Sequence, residues 1–280
     1  MNAHPLAILV AAIVAGMWLQ LPVLAEGKES APAAQETALS AKDQAQVEVA
    51  VALEKKADSL RSQGRMAEAE AAYRSELATR ASVQGAEHPE AIECRFHVAL
   101  MLDAQRKHAE SEAEYRAVVA LQERVLGAGD LSTLASRYNL AITLDEQGRL
   151  AEAEAEIRVV VAIHERVRGA GHSATLMNRC FLAGILRKQG RNAEAEAEHR
   201  TILASYEHTL GAEHHQVALS CWSLAWCLED QKKTKEALFY AQRALATMKK
   251  SAGKYDFIPK ELEELVTRLE SAVKAEQGKN

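Results

Sequence analysis

GAEHPEAIECRFHVALMLDAQRKHAESEAEYRAVVALQERVL, residues 85–126, comes back along the chain. A shift of 42 residues aligns Gly85 with Gly127, Gly169, Gly211 and Gly253. The same shift aligns Gln63, Gln105, Gln147, Gln189 and Gln231 without an insertion or deletion. A period of this size marks an array of supersecondary units, each burying its apolar face only against its neighbours.

Within the period the apolar spacing is helical and the composition agrees, because Ala, Leu, Glu, Gln, Arg and Lys are the strongest helix formers. The fold class expected is all-α, with five helix pairs. First helices are expected near 46–63, 88–105, 130–147, 172–189 and 214–231. Second helices are expected near 66–84, 108–126, 150–168, 192–210 and 234–250. Ala57, Ala99, Ala141, Ala183 and Ala225 share a column three residues before Leu60, Leu102, Leu144, Leu186 and Leu228. A small residue beside a large one on one face is what close helix packing needs. In the second helices Tyr73, Tyr115, Ile157, His199 and Ala241 fill the space beside another column of small residues.

The punctuation has local causes. Gly64, Gly148 and Gly190 stand where a first helix ends and the backbone must turn through positive φ. Asn192 and Thr234 are expected as N-caps of second helices. His88, His172 and His214, with Asp130 in the same column, suit capping or turn positions at the starts of first helices. The AEAEAE runs read as a solvated face with Glu-to-Arg pairs four apart, such as Glu70–Arg74 and Glu196–Arg200.

The ends differ from the array. Residues 1–25 carry an apolar stretch from Leu6 to Leu24 and finish in small residues at Ala25, the pattern of a signal peptide. An uncleaved membrane anchor is the alternative, since such a stretch is about long enough to span a bilayer. Residues 26–45 read as a flexible linker, and 46–252 as the repeat domain. Residues 253–280 hold one more helix, about Pro259 to Gln277, with Leu262, Leu265, Val266, Leu269 and Val273 on one stripe. Such a polar-backed helix caps the open core of a last repeat.

Across 280 residues the net charge is −5 and no basic block stands out, which argues against nucleic acid as a partner. The four cysteines, Cys94, Cys180, Cys221 and Cys227, do not recur with the repeat and read as small buried hydrophobes. No P-loop, GxGxxG, GxSxG or HExxH occurs, so no catalytic residue, metal ligand or cofactor is assigned. Phe96, Tyr138 and Trp222 share a column, with Cys180 between them and Trp226 one turn further on, and are expected to offer contact area for a partner. Arg95, Arg137 and Arg179 form a second column, expected to bury their stems and pair with neighbouring glutamates.

Units such as TLASRYNLAITLDEQGRLAEAE and HSATLMNRCFLAGILRKQGRNAEAE resemble tetratricopeptide repeats. More narrowly they are similar to the 42-residue variety of kinesin light chains and many bacterial proteins, over about Asp43 to Ala252. The resemblance implies a right-handed α-solenoid whose first helices line a concave groove for a peptide or partner protein. Carried across, the groove positions are Glu54, Asp58 and Arg61, then Glu93, Phe96, Leu100 and Asp103. They continue with Tyr138, Ile142, Asp145, Glu146, Met177, Cys180, Arg187 and Lys188, and end with Trp222, Trp226, Glu229 and Asp230. The chain departs from the kinesin-type pattern in keeping only Asn139 of a paired asparagine. The function expected is a non-enzymatic scaffold or adaptor, exported to the periplasm or secreted, or else anchored with its repeats outside the cytoplasm. An accessory subunit of an envelope enzyme is the alternative, as is a self-assembling structural protein, a homo-oligomer.

Overall fold

The computed structural model describes residues 40–250 and 259–278. The expected leader, most of the expected linker and Gly253 lie outside the described residues. Eleven helices and no strand occur among those described. They fall into two compact units, one ending at Thr133 and the other beginning at Leu134.

The first unit holds α1 (Ala41–Ser62), α2 (Met66–Val83), α3 (Pro89–Ala104), α4 (His108–Val125) and the first residues of α5 (Leu131–Glu146). In this unit α1 packs on α2, α2 on α3 and α3 on α4. Ala57, Leu60, Ala69, Ala72, Tyr73, Val98, Met101 and Leu102 form its core, so the small and large columns interlock as expected. The helix α1 begins at Ala41, five residues before the first apolar stripe would place it. The cause is a cap: the Ser40 hydroxyl accepts from the Asp43 N–H at 3.2 Å.

The second unit holds the rest of α5, then α6 (Leu150–Arg168), α7 (Ser173–Lys188), α8 (Asn192–Leu210), α9 (His215–Asp230), α10 (Thr234–Lys250) and α11 (Lys260–Gln277). Sequential packing runs from α6 to α11. The last helix covers α10 with Leu262, Leu265, Val266 and Leu269, all buried, which is the capping role expected of it. No helix among the described residues is long and apolar enough to cross a membrane.

Every pair closes with one turn. In the first, the Gly64 N–H reaches Arg61 O at 3.0 Å and the Arg65 N–H reaches Leu60 O at 3.0 Å, a Schellman motif that satisfies the last carbonyls of α1. Gly64, Gly148 and Gly190 take φ near +76° there. The same hydrogen bonds form at Arg106 and Lys232, which adopt φ +61° without being glycine. A side chain pays a left-handed penalty at such a site. Lys232→Gly is therefore expected to stabilise the chain by about 1 kcal/mol, read as a higher urea midpoint at unchanged slope.

The expected caps at Asn192 and Thr234 are corrected: both are the first helical residue, and Arg191 precedes α8 without a capping side chain. Arg65, Arg149 and Arg191 instead fork onto the glutamates three residues on, Glu68, Glu152 and Glu194, in the first turn. The first helices are capped as expected. The Nδ1 atoms of His88, His172 and His214 accept from the N–H two residues later, and an Asp130 carboxylate oxygen does the same at 2.8 Å.

Candidate functional site

The AEAEAE face is more than a solvated surface. Glu70 and Glu196 are only 9 % and 8 % exposed. Glu70 accepts from Arg74 at 2.9 Å, and from Gln105 at 2.8 Å and Lys107 at 3.1 Å in the following repeat. Glu154 repeats the arrangement with Arg158, Gln189 and Arg191, and Glu196 with Arg200, Gln231 and Lys233. The recurring glutamine is therefore a tie to the repeat before it. Two columns, glutamine in all five repeats and glutamate in the first four (Glu70, Glu112, Glu154 and Glu196, then Leu238), were the sequence signal for this joint.

Burial pushes the Glu196 carboxyl up, but hydrogen bonds from Lys233, Arg200 and Gln231 outweigh it and hold the group at about 2. Glu70 and Glu154 are lowered for the same balance of reasons. A depressed carboxyl stabilises the fold fully above its ordinary range and loses that contribution as pH falls towards its folded value. Between pH 5 and pH 2.5 wild type should thus lose on the order of 2 kcal/mol more than Glu196→Gln, measured by urea unfolding at each pH.

The expected groove positions divide. In the first unit Phe96 is half-buried in an edge-to-face contact with Tyr115, ring centroids 5.8 Å apart, and Leu100 is half-buried against the core. Asp103 meets His108 Nδ1 at 3.1 Å. Asp58 accepts from the Tyr73 hydroxyl at 2.7 Å and pairs with Arg61 at 3.0 Å. In the second unit Ile142 and Cys180 are half-buried. Charged positions there are paired across one repeat: Lys188 with Asp145 at 2.6 Å, Arg187 with Asp230 at 2.9 Å, and Glu229 with Arg268 of α11 at 2.8 Å.

Three of the aromatic expectations are corrected. Tyr138, Trp222 and Trp226 are 4 %, 1 % and 5 % exposed, so they offer a partner almost no area. Tyr138 packs 5.3 Å from Phe181, and Trp222 lies 5.0 Å from Trp226, which has the Arg187 guanidinium over its face. The reason is that α9 is buried nearly all round, through Val217, Ala218, Cys221, Leu224, Ala225, Cys227 and Leu228. Of the column, Phe96 alone keeps an accessible ring.

The arginine column pairs as expected. Arg137 bonds Glu156, and Arg179 bonds Glu165 at 2.7 Å and Glu198 at 3.1 Å. All four cysteines are free thiols, and burial pushes Cys227 and Cys180 up to about 12 and Cys221 to about 11. They pack rather than react.

Within each unit the helix pairs close through turns of one hydrogen-bond pattern, and Glu–Gln ties recur at Glu70, Glu154 and Glu196, which defines an α-helical repeat protein of the solenoid class. The tetratricopeptide repeat model matches residues 97–166 and 172–250, over half of the chain, and the chain belongs to that family. A kinesin-light-chain-type protein of nearly identical TPR-like repeats from Podosopora anserina superposes with a TM-score of 0.66 at 24 % identity, covering 74 % of this chain and 96 % of its own. BtubC (BKLC) from P. vanneervenii gives 0.64 at 15 % identity, covering 79 % and 93 %. YrrB, a TPR protein with an unusual peptide-binding site, gives 0.50 at 15 % identity, covering 74 % and 92 %. No curated protein sequence matches the chain.

Proposed function

We propose that the chain is a non-enzymatic scaffold that holds a peptide or a partner protein on the face formed by its first helices, outside the cytoplasm. The observation that carries this reading is the state of α3. Phe96 and Leu100 are apolar, half-exposed and one turn apart on a first helix. Anchors of that kind supply large contact area at low entropic cost. The peptide-binding site named for YrrB, on the same fold, points the same way. Export rests on the apolar stretch of residues 6–24 and the small residues at its end.

Co-purification from the envelope fraction of the native host, wild type against Phe96→Ala, tests both parts. The expected result is a partner retained by wild type and lost by the variant, with helicity and melting temperature nearly unchanged. A variant that keeps the same partners sinks the groove reading. A chain that fractionates with the cytoplasm sinks export.

A further inference from the structure

Between α1, α2 and α3 lies a cavity of about 90 Å³ lined by Glu54, Glu76, Arg80, Glu90, Glu93, Cys94 and His97. Four carboxylates there face one guanidinium. Arg80 is nearly buried and bonds Glu76 at 2.8 Å, Glu54 at 3.1 Å and also Glu90. These bonds leave acceptors over. Glu76 is 2 % exposed, burial pushes its carboxyl up against the Cys94 thiol and Arg80, and no N–H or O–H group reaches its Oε2. Packing around the Glu93 carboxyl, followed by the charges of Glu54, Glu76 and Glu90, pushes it up against Arg80, although the residue keeps an exposed edge at the mouth. His97 brings no positive charge, because burial lowers it to about 4. His88 approaches Glu90 only at 3.9 Å.

We propose that this cavity receives one further guanidinium, the head of an arginine side chain on the bound peptide. The proposal rests on the groove reading above and names the chemistry that the groove selects. Charge asks for a cation, and the Glu76 oxygen, met only by the weak donor of the Cys94 thiol, asks for a stronger donor at the cavity floor. The volume suits the end of a side chain, since cavities for whole small ligands run from about 300 Å³ upward. A bare metal ion fits less well, because no three of these carboxylates bring oxygens within 4.8 Å of one another. A guanidinium carries five N–H groups on a planar fork, and that spread matches separated acceptors. Glu54, Glu90 and Glu93 keep the mouth acidic and solvent-accessible.

The experiment titrates the isotope-labelled full-length chain with methylguanidinium, and separately with neutral methylurea, following His97 and Cys94 by NMR. Saturable shifts with methylguanidinium alone are expected, weakened about tenfold in Glu93→Gln, which loses a charge at the rim. Glu54→Gln serves as the second variant, with the same direction expected. Flat His97 and Cys94 signals, an equal response to methylurea, or unchanged affinity in both variants overturns the proposal. The two readings fail separately. If co-purification captures a peptide that needs Phe96 while methylguanidinium leaves the cavity unmoved, the pocket fails alone. If methylguanidinium binds but no Phe96-dependent partner exists, the groove fails and the guanidinium site stands.

Discussion

Trp222→Ala lowers the stability of the second unit by about 3–5 kcal/mol, because it empties the largest fully buried side chain of the core. Alanine leaves a cavity between residues that relax only in part, so lost transfer energy and lost packing add. The indole also lies 5.0 Å from Trp226, whose face holds Arg187, so the damage spreads to an aromatic pair and a stacked cation. Urea unfolding followed by Trp fluorescence measures it. Phe96→Ala, at a half-buried ring on α3, should cost far less. A Trp222→Ala protein as stable as wild type would mean that the packing around α9 is looser than the burial shows.

Removing residues 259–280 is the second large effect. It strips Leu262, Leu265, Val266 and Leu269 from the last repeat and leaves α10 with an apolar face in water. At roughly 1.5–3 kcal/mol for each fully buried large aliphatic side chain, the loss is on the order of 5 kcal/mol after allowing for a compact unfolded state. The truncation also frees Glu229 from Arg268 and Thr234 from Glu276. Melting should fall by more than 10 °C, roughly, and a dye for exposed apolar surface should bind. An unchanged melting temperature would contradict the capping assignment.

The helix pairs were legible because each boundary is written locally. A residue at positive φ, glycine in three of the five pairs, ends a first helix, and a histidine or aspartate opens the first helix of the next pair, each in register. Helix ends from Met66 to Lys250 accordingly fall within a residue of expectation. The start of α1 was hidden, since one serine cap carries it and no apolar stripe runs through 41–45. The binding face was legible only as a set of columns. A column says which way a side chain points within its own repeat, and nothing of how deeply the neighbouring helices cover it. Phe96 and Trp222 share a column, yet α9 is buried nearly all round and α3 is not. Glu70 and Glu196 were misjudged for a related reason: their decisive partners lie 35 to 37 residues away. The acidic cavity needed three helices brought together before Glu54, Glu76 and Glu93 became neighbours.

The Glu–Gln–cation tie has a consequence for how such a chain can change. Glu154 and Glu196 present the same hook, and Gln189 with Arg191 or Gln231 with Lys233 presents the same eye. A cut of one full period, for example joining Val159 to Ile202, hands the hook of one repeat to the eye meant for the next without altering a residue. Length is thereby uncoupled from compatibility. Unequal exchange between copies can lengthen or shorten the array while leaving these joints chemically complete, and selection can then act on reach alone.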